Sequence, residues 1–213
     1  MNTTLTYAEG RHKPLMRGVL HYYGSYIIPT CGFLILHHQC NLAQEVMMLL
    51  ITSLCIWSCL FTSGCYHSIK WTKQQELAIQ KFDYMFVLLG PYGTFLPLTC
   101  YIENGYYYFL YISLVTLLGS LWIWYGGNKV YAHILSSASI VVLFEPIKNA
   151  LGMGVALHSL GVILVIFCGF LIFLLRYPNP VPDVFGYHEV FHLIVLCASM
   201  YTYFVHYQLY LIY

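Results

Sequence analysis

The chain has 213 residues, of which 60% are hydrophobic and only 8% are charged, and its formal net charge is +1. A soluble domain carries about 25% charged residues, so this composition excludes a water-soluble fold and indicates an integral membrane protein. The sequence contains no basic patch, and nucleic acid is therefore not an expected partner.

Seven apolar runs follow one another, at 18–36, 46–66, 82–100, 106–125, 130–144, 149–175 and 189–211. A membrane-spanning helix needs about 20 apolar residues, so the runs predict seven spans with short connections. The fifth run is the weakest, because it is short and contains His133 and three serines. The expected fold is an all-α, seven-transmembrane helix bundle that forms one domain over residues 18–213, after a short N-terminal segment at 1–17.

Basic residues predict the orientation of these spans. Arg11, Lys13 and Arg17 precede the first run, and three lysines lie between the second and the third. Lys and Arg accumulate on the cytoplasmic side of a membrane. Seven spans therefore place the N-terminus in the cytoplasm and the C-terminus on the exterior or lumenal side.

The third run contains residues that interrupt a helix. Gly90, Pro91, Gly93 and Pro97 all lie within it. Proline lacks a backbone donor and clashes with the preceding turn, so this span is predicted to bend.

The eight cysteines form no C-x-x-C pair, which gives no support for a thiolate metal cluster. Cys40 and Cys100 both fall toward the exterior end in the predicted topology. A disulfide bond between Cys40 and Cys100 therefore stays an alternative if that side of the membrane is oxidising.

The last apolar run opens with the sequence Gly186-Tyr187-His188-Glu189-Val190-Phe191-His192. In a helix, His188 and His192 are separated by about 400° of rotation and roughly 6 Å of rise, so both imidazoles face the same way. Such a pair typically binds zinc. The alternative is that the two rings make interfacial polar contacts, but unpartnered imidazoles are costly in apolar surroundings.

A catalytic zinc site needs a third protein ligand, and the sequence after Glu189 offers none. Nothing acidic follows Glu189, and His206 lies about 21 Å further along the same helix. The pattern H-E-x-x-H also occurs in zinc metalloproteases, where Glu189 would be the general base. The missing downstream ligand disfavours that interpretation, and the role of Glu189 stays open.

The upstream candidate for the third ligand is His67, at the end of the second run. Four predicted crossings separate His67 from His188, so both return to the same membrane face. Asp83 opens the third run on that face, and a carboxylate within an apolar helix is a functional candidate. Ser63 lies one turn before His67 and shares its side of the helix.

The other histidines are expected to make buried or interfacial polar contacts. They are His12, His21, His37, His38, His133 and His158. Among them, His158 lies about midway along the sixth run and is the one that could line an internal cavity.

Four motifs resemble, in chain order, a known family. They are Arg17-Gly18-Val19-Leu20-His21, Ser63-x-x-x-His67, Asp83, and Phe185-Gly186-Tyr187-His188-Glu189-Val190-Phe191-His192. Together they resemble the haemolysin III and progestin/adipoQ receptor family, within a wider group that includes the alkaline ceramidases.

The resemblance implies a seven-helix bundle that binds zinc through His67, His188 and His192 near the cytoplasmic face, with Asp83 contacting the metal-bound water. In such a centre Ser63 could hydrogen-bond a developing oxyanion or the carboxylate. The expected function is a ceramidase-like, zinc-dependent hydrolase that acts on an amide or ester bond of a membrane lipid.

Two other functions stay open. In the first, the zinc is structural and the protein is a receptor or signalling scaffold, in which case a fourth protein ligand should close the site. In the second, the protein is a pore-forming cytolysin, but pores need a polar lining and the apolar runs contain few charged positions.

Overall fold

The computed structural model describes residues 6–10, 12–14 and 16–212. Arg11, residues 1–5 and Leu15 of the predicted N-terminal segment, and Tyr213, lie outside the described residues. The helices are α1 Val19–Leu36, α2 Ala43–Ser68, α3 Lys73–Phe86, α4 Leu89–Phe95, α5 Gly105–Trp124, α6 Lys129–Ile140, α7 Phe144–Leu175 and α8 Tyr187–Ile212. Strand pairing in the described ranges is limited to the isolated bridges Thr6–His12 and Val181–Phe185, so the predicted all-α class is confirmed.

Five helical stretches among the described residues are long and apolar enough to cross a membrane. They are Val19–Gln39, Ala43–Ser68, Gly105–Trp124, Lys129–Leu175 and Tyr187–Ile212. This confirms a multi-pass integral membrane protein, but the number is smaller than the seven predicted spans. The difference arises in two places, because the third run is broken into short pieces and the fifth and sixth runs are joined.

The third run was predicted to form one bent helix, but in the structure it is divided into three shorter elements. α3 ends at Phe86, α4 contains Pro91, and a 3-10 segment follows at Pro97–Tyr101. Threonine hydroxyls donate hydrogen bonds to backbone carbonyls at the break. Thr94 Oγ1 donates to the Gly90 carbonyl at 3.0 Å, and Thr52 Oγ1 of α2 donates to the Gly93 carbonyl at 2.8 Å. These bonds allow an interrupted helix to persist in an apolar layer.

Lys129–Leu175 is also interrupted. A 3-10 segment at Val141–Leu143 separates α6 from α7, and Gly152 inside α7 has φ 85° and ψ 165°. A positive φ of this kind is accessible to glycine and strained for residues with a side chain. Gly152 therefore allows a kink in an otherwise continuous apolar stretch.

Close backbone packing brings the ends of α1 and α2 together. A Cβ added at Gly64 would lie 2.6 Å from the backbone of Tyr22, so only glycine permits this crossing. α8 packs against α1 and α7. The ends of α1, α2 and α8 that carry the candidate site residues are thereby held side by side.

Cys40 and Cys100 are both free thiols. The Cys40 thiol donates instead to the Leu36 carbonyl at 3.6 Å. Burial raises the pKa of Cys40, which keeps this sulfur in the neutral form.

Candidate metal centre

Three imidazoles converge where the end of α2 meets the start of α8. His67 lies in the last turn of α2, and His188 and His192 lie in the first turns of α8. One candidate ligand atom from each residue lies within 4.8 Å of the others. The ring centroids are 4.7 Å apart for His188 and His192, 4.9 Å for His67 and His188, and 5.1 Å for His67 and His192. The structure therefore brings together the three predicted ligand residues.

The start of α8 is fixed by the residue between the two histidines. Glu189 is fully buried, and its Oε2 accepts a hydrogen bond from the Gly186 backbone N–H at 2.7 Å, which caps the helix N-terminus. Its other oxygen pairs with the Arg17 guanidinium. Both carboxylate oxygens of Glu189 are thus engaged by the helix end and by Arg17.

Arg17 also reaches the metal centre itself. Its Nη1 donates to Nδ1 of His188 at 3.0 Å. A guanidinium can only donate, so Nδ1 of His188 accepts in this arrangement. A neutral imidazole bound to a metal through Nε2 carries its proton on Nδ1. The Arg17 contact and a metal on the opposite nitrogen therefore compete at His188.

His21 joins the site through three contacts. Its ring stacks on His192 with centroids 3.9 Å apart, and its Nε2 donates to the His192 carbonyl at 3.1 Å. Its Nδ1 lies 2.9 Å from Ser63 Oγ. The Ser63 hydroxyl has one proton, which it can donate either to this nitrogen or to the Asp83 carboxylate.

Asp83 of α3 lies next to Ser63. Its carboxyl is buried, at 7% exposure, and hydrogen-bonds with Ser63. Among the described residues it is not a member of the three-histidine group, and Ser63 links it to the site. The structure thereby links Asp83 to Ser63, and Ser63 to the His21 ring that stacks on His192.

Three buried side-chain atoms in the described part of the chain have no hydrogen-bond partner: Asp83 Oδ1, His192 Nδ1 and His206 Nδ1. Two of the three belong to this site. Buried polar atoms are ordinarily bonded, because leaving one unbonded costs about 1–3 kcal/mol. An orphaned imidazole nitrogen and an orphaned carboxylate oxygen fit a bound cation and its water.

Tyr7 is a member of the site that sequence reasoning missed. Its hydroxyl lies 2.7 Å from Nδ1 of His67, and its side chain is buried. The sequence contains 21 tyrosines, and no spacing or periodicity distinguishes this one. The contribution of His21 was also missed, although His21 closes the motif that begins at Arg17.

Two other histidines lie away from the centre. His206 Nε2 donates to the Thr94 carbonyl at 3.1 Å, far along α8 as predicted. His158 Nδ1 lies 2.9 Å from the Tyr201 hydroxyl, and its side chain is half-buried. His158 thus makes the kind of polar contact expected for it, and His206 lies too far away to be a ligand, as expected.

Comparison with protein families gives one match over most of the chain. A family model described as haemolysin-III related matches residues 9–203. The matched stretch contains Ser63, His67, Asp83, His188 and His192, and Tyr7 lies just before it.

Proposed function

This chain belongs to the haemolysin-III related family, and from that premise we propose that it is a zinc-dependent hydrolase that cleaves an amide or ester bond of a membrane lipid. The observation that carries the proposal is the convergence of His67, His188 and His192, in a protein that also buries Asp83 with an unpartnered oxygen.

Zinc suits this donor set. Zn–N bonds are about 2.0–2.1 Å long, so the nitrogens around one tetrahedral ion lie roughly 3.4 Å apart. Ligand atoms already within 4.8 Å of one another must approach by at most about 1.4 Å to reach that spacing, and His188 must exchange its Arg17 contact for the ion. When bound, zinc held by neutral imidazoles lowers the pKa of a water ligand to about 7.

The number of ligands favours a catalytic over a structural ion. A structural zinc site is closed by four protein ligands, whereas a catalytic one has three and an open position. Within the described ranges the group has three members, all histidines. This supports hydrolysis over a receptor or scaffold in which zinc only joins helices.

Asp83 is the group that holds and moves the proton. Its Oδ1 is buried and unpartnered, and its carboxyl is held by Ser63, so this oxygen is positioned to accept a proton from attacking water. The water oxygen joins the acyl carbon and the C–N or C–O bond breaks. The proton then passes from Asp83 to the departing amine or alcohol.

An apolar cavity beside the site is the place where we expect a lipid to enter. It has a volume of about 40 Å³ and lies between α2, α4, α7 and α8, with Cys59, Val87 and Phe191 among its lining residues. Binding pockets for small molecules usually measure 300–1,000 Å³, so this cavity is too small for an acyl chain. We expect α4 to move away from α7 and α8 when a lipid enters from the bilayer.

We also propose that the chain crosses the membrane seven times with its N-terminus in the cytoplasm. Lys129–Leu175 has 47 residues, or about 70 Å of helix, which is more than twice the hydrocarbon thickness and is enough for two crossings. These two and α5 make three crossings between His67 and His188. The His67 and His188 rings are neighbours and therefore lie at the same membrane face, so the number of crossings between them must be even. The broken segment at 82–101 must then supply the fourth crossing.

Surface labelling tests this topology. Glu103 and Gln74 are both exposed, and they lie on opposite membrane faces if segment 82–101 crosses and on the same face if it does not. Glu103→Cys should react with an impermeant maleimide in intact cells, whereas Gln74→Cys should react only after permeabilisation, each measured against the labelling of the native thiols. Equal behaviour of the two variants would contradict seven spans.

The activity is tested with purified, zinc-loaded protein offered ceramides and other lipid amides and esters. We expect release of fatty acid that is lost on chelation and restored by zinc. No release, while a known lipid amidase is active in the same mixed micelles, would contradict the hydrolase. Leakage of dye from liposomes that survives His188→Ala would instead favour a pore.

A further inference from the structure

A segment before α1 lies folded against the site. We define the N-terminal strap as residues 6–10 and 12–14. Tyr7 and Lys13, at 6% and 2% exposure, are both buried, so these two side chains anchor a strap whose other residues are exposed or half-buried. A backbone bridge between Thr6 and His12 closes it into a loop.

Lys13 fixes the strap to the end of the helix that carries His67. Its Nζ donates to the Tyr66 carbonyl at 3.3 Å and to the Ile69 carbonyl at 3.0 Å. Tyr66 lies in the last turn of α2 and Ile69 is its C-cap, and the helix dipole favours a cation at this end. The same ammonium lies 4.4 Å from the centre of the Tyr7 ring, a cation–π contact that holds the tyrosine in place.

The strap also contacts the other elements that build the site. The Ala8 N–H donates to Glu76 Oε2 of α3 at 2.6 Å. Just after the strap, the Met16 N–H donates to the Val184 carbonyl, in the segment before α8, at 3.2 Å. The segment is thus tied to α2, to α3 and to the entry of α8, which together carry the three histidines and Asp83.

The Tyr7 hydroxyl occupies one of the two ring nitrogens of His67. It lies 2.7 Å from Nδ1, which leaves Nε2 for the centre shared with His188 and His192. A metal-ligating histidine ordinarily donates its other N–H to a fixed acceptor, which sets the tautomer and orientation of the ring. In this site a tyrosyl oxygen that the strap supplies lies where that acceptor is needed.

We infer that Tyr7 is a positioning residue of the metal centre, which holds His67 in the tautomer and orientation that direct Nε2 at the ion. The inference shares with the proposed function the requirement that a metal ion binds at this centre. It does not require that the protein hydrolyses a lipid. Family membership does not supply this contact, because the matched stretch begins at residue 9.

Tyr7→Phe isolates the hydroxyl, because it keeps the ring that packs on Tyr66 and lies under Lys13. Loss of such a partner typically weakens metal binding by about 10–100-fold. The matched control is Tyr66→Phe, which removes a neighbouring buried hydroxyl that bonds Gln80 Nε2 at 2.7 Å instead of a histidine.

The experiment is a competition between a chelator and the full-length protein in detergent micelles, for zinc and for cobalt. We expect Tyr7→Phe to bind both metals about 10–100-fold more weakly and to shift the visible spectrum of bound cobalt, while Tyr66→Phe matches wild type in both. Affinity and spectrum unchanged in Tyr7→Phe would overturn the inference, as would an equal loss in both variants.

The same experiment separates this inference from the proposed function. If wild type binds zinc tightly, Tyr7→Phe binds it weakly and neither cleaves a lipid, Tyr7 is a positioning residue and the hydrolase is wrong. If wild type cleaves lipid and Tyr7→Phe keeps full zinc affinity, the hydrolase stands and the role of Tyr7 is wrong. If wild type binds neither metal, both are wrong.

Discussion

α8 contains two buried histidines near its opposite ends, His192 and His206, and they differ in what surrounds them. Their exposures are 1% and 0%, and each has an unpartnered Nδ1. His192 has two further imidazoles within ligand distance, whereas His206 donates to the Thr94 carbonyl and belongs to no such group among the described residues. Burial and an orphaned nitrogen therefore do not define a metal centre, but convergence of ligands from a second helix does.

The surroundings of the two ends of α8 also differ in charge. Glu189 and Glu45 are both buried carboxylates that bind backbone N–H groups at a helix start. Glu189 pairs in addition with Arg17 beside the imidazoles, whereas Glu45 accepts from the Tyr101 hydroxyl at 2.8 Å. The charged network is at the end where metal and water are proposed to act, and neutral donors serve the other end.

The largest expected difference between the two ends is in metal content. His192→Ala should reduce bound zinc from about one ion per chain to near zero, because a catalytic site has only three protein ligands to lose. His206→Ala should keep the full ratio, since it removes only a bond to the Thr94 carbonyl. Elemental analysis of the purified variants measures both. Equal zinc in the two variants would break the comparison.

The next difference is in catalysis. Asp83→Asn should keep zinc and lower lipid hydrolysis by about 10²–10⁴-fold, the usual contribution of a general base. Ser53→Ala is the control, because it removes a buried hydroxyl that accepts from the Tyr203 hydroxyl at 2.8 Å and does not line the cavity between α2, α4, α7 and α8. We expect this control to hydrolyse lipid at the wild-type rate. Parallel loss in both variants would assign the effect of Asp83 to packing.

The smallest difference is in stability. Glu189→Gln leaves the Arg17 charge without its partner, and breaking a buried ion pair costs about 3–5 kcal/mol. Glu45→Gln leaves no cation behind and should cost about 1–3 kcal/mol, the range for a weakened hydrogen bond to a charged group. Unfolding of the zinc-free proteins in a graded denaturing detergent measures the two. A larger loss in Glu45→Gln would reverse the electrostatic contrast.

The predictable part of the site came from helix geometry. A spacing of four residues put His188 and His192 on one face, and the parity of the crossings put His67 at the same membrane face. Ser63 followed from its position one turn before His67. These inferences depend only on local periodicity and on the order of the spans, which the sequence contains directly.

The rest depended on packing that no pattern in the sequence encodes. Tyr7 lies in an irregular strap, and its partner is 60 positions away. His21 reaches Ser63 because Gly64 allows α2 to approach the backbone of Tyr22. The break of the third run depends on hydroxyls such as Thr52 on another helix, so its sharpness could not be read from the glycines and prolines alone.

X-ray absorption at the zinc edge tests the central claim most directly. For the purified protein, three imidazoles bound to one ion predict nitrogen scatterers at about 2.0–2.1 Å, with the outer-shell pattern of imidazole rings and a light fourth atom. The nitrogen signal should fall in His67→Ala. Sulfur scatterers at about 2.3 Å, or zinc bound without imidazole, would contradict a centre built from His67, His188 and His192.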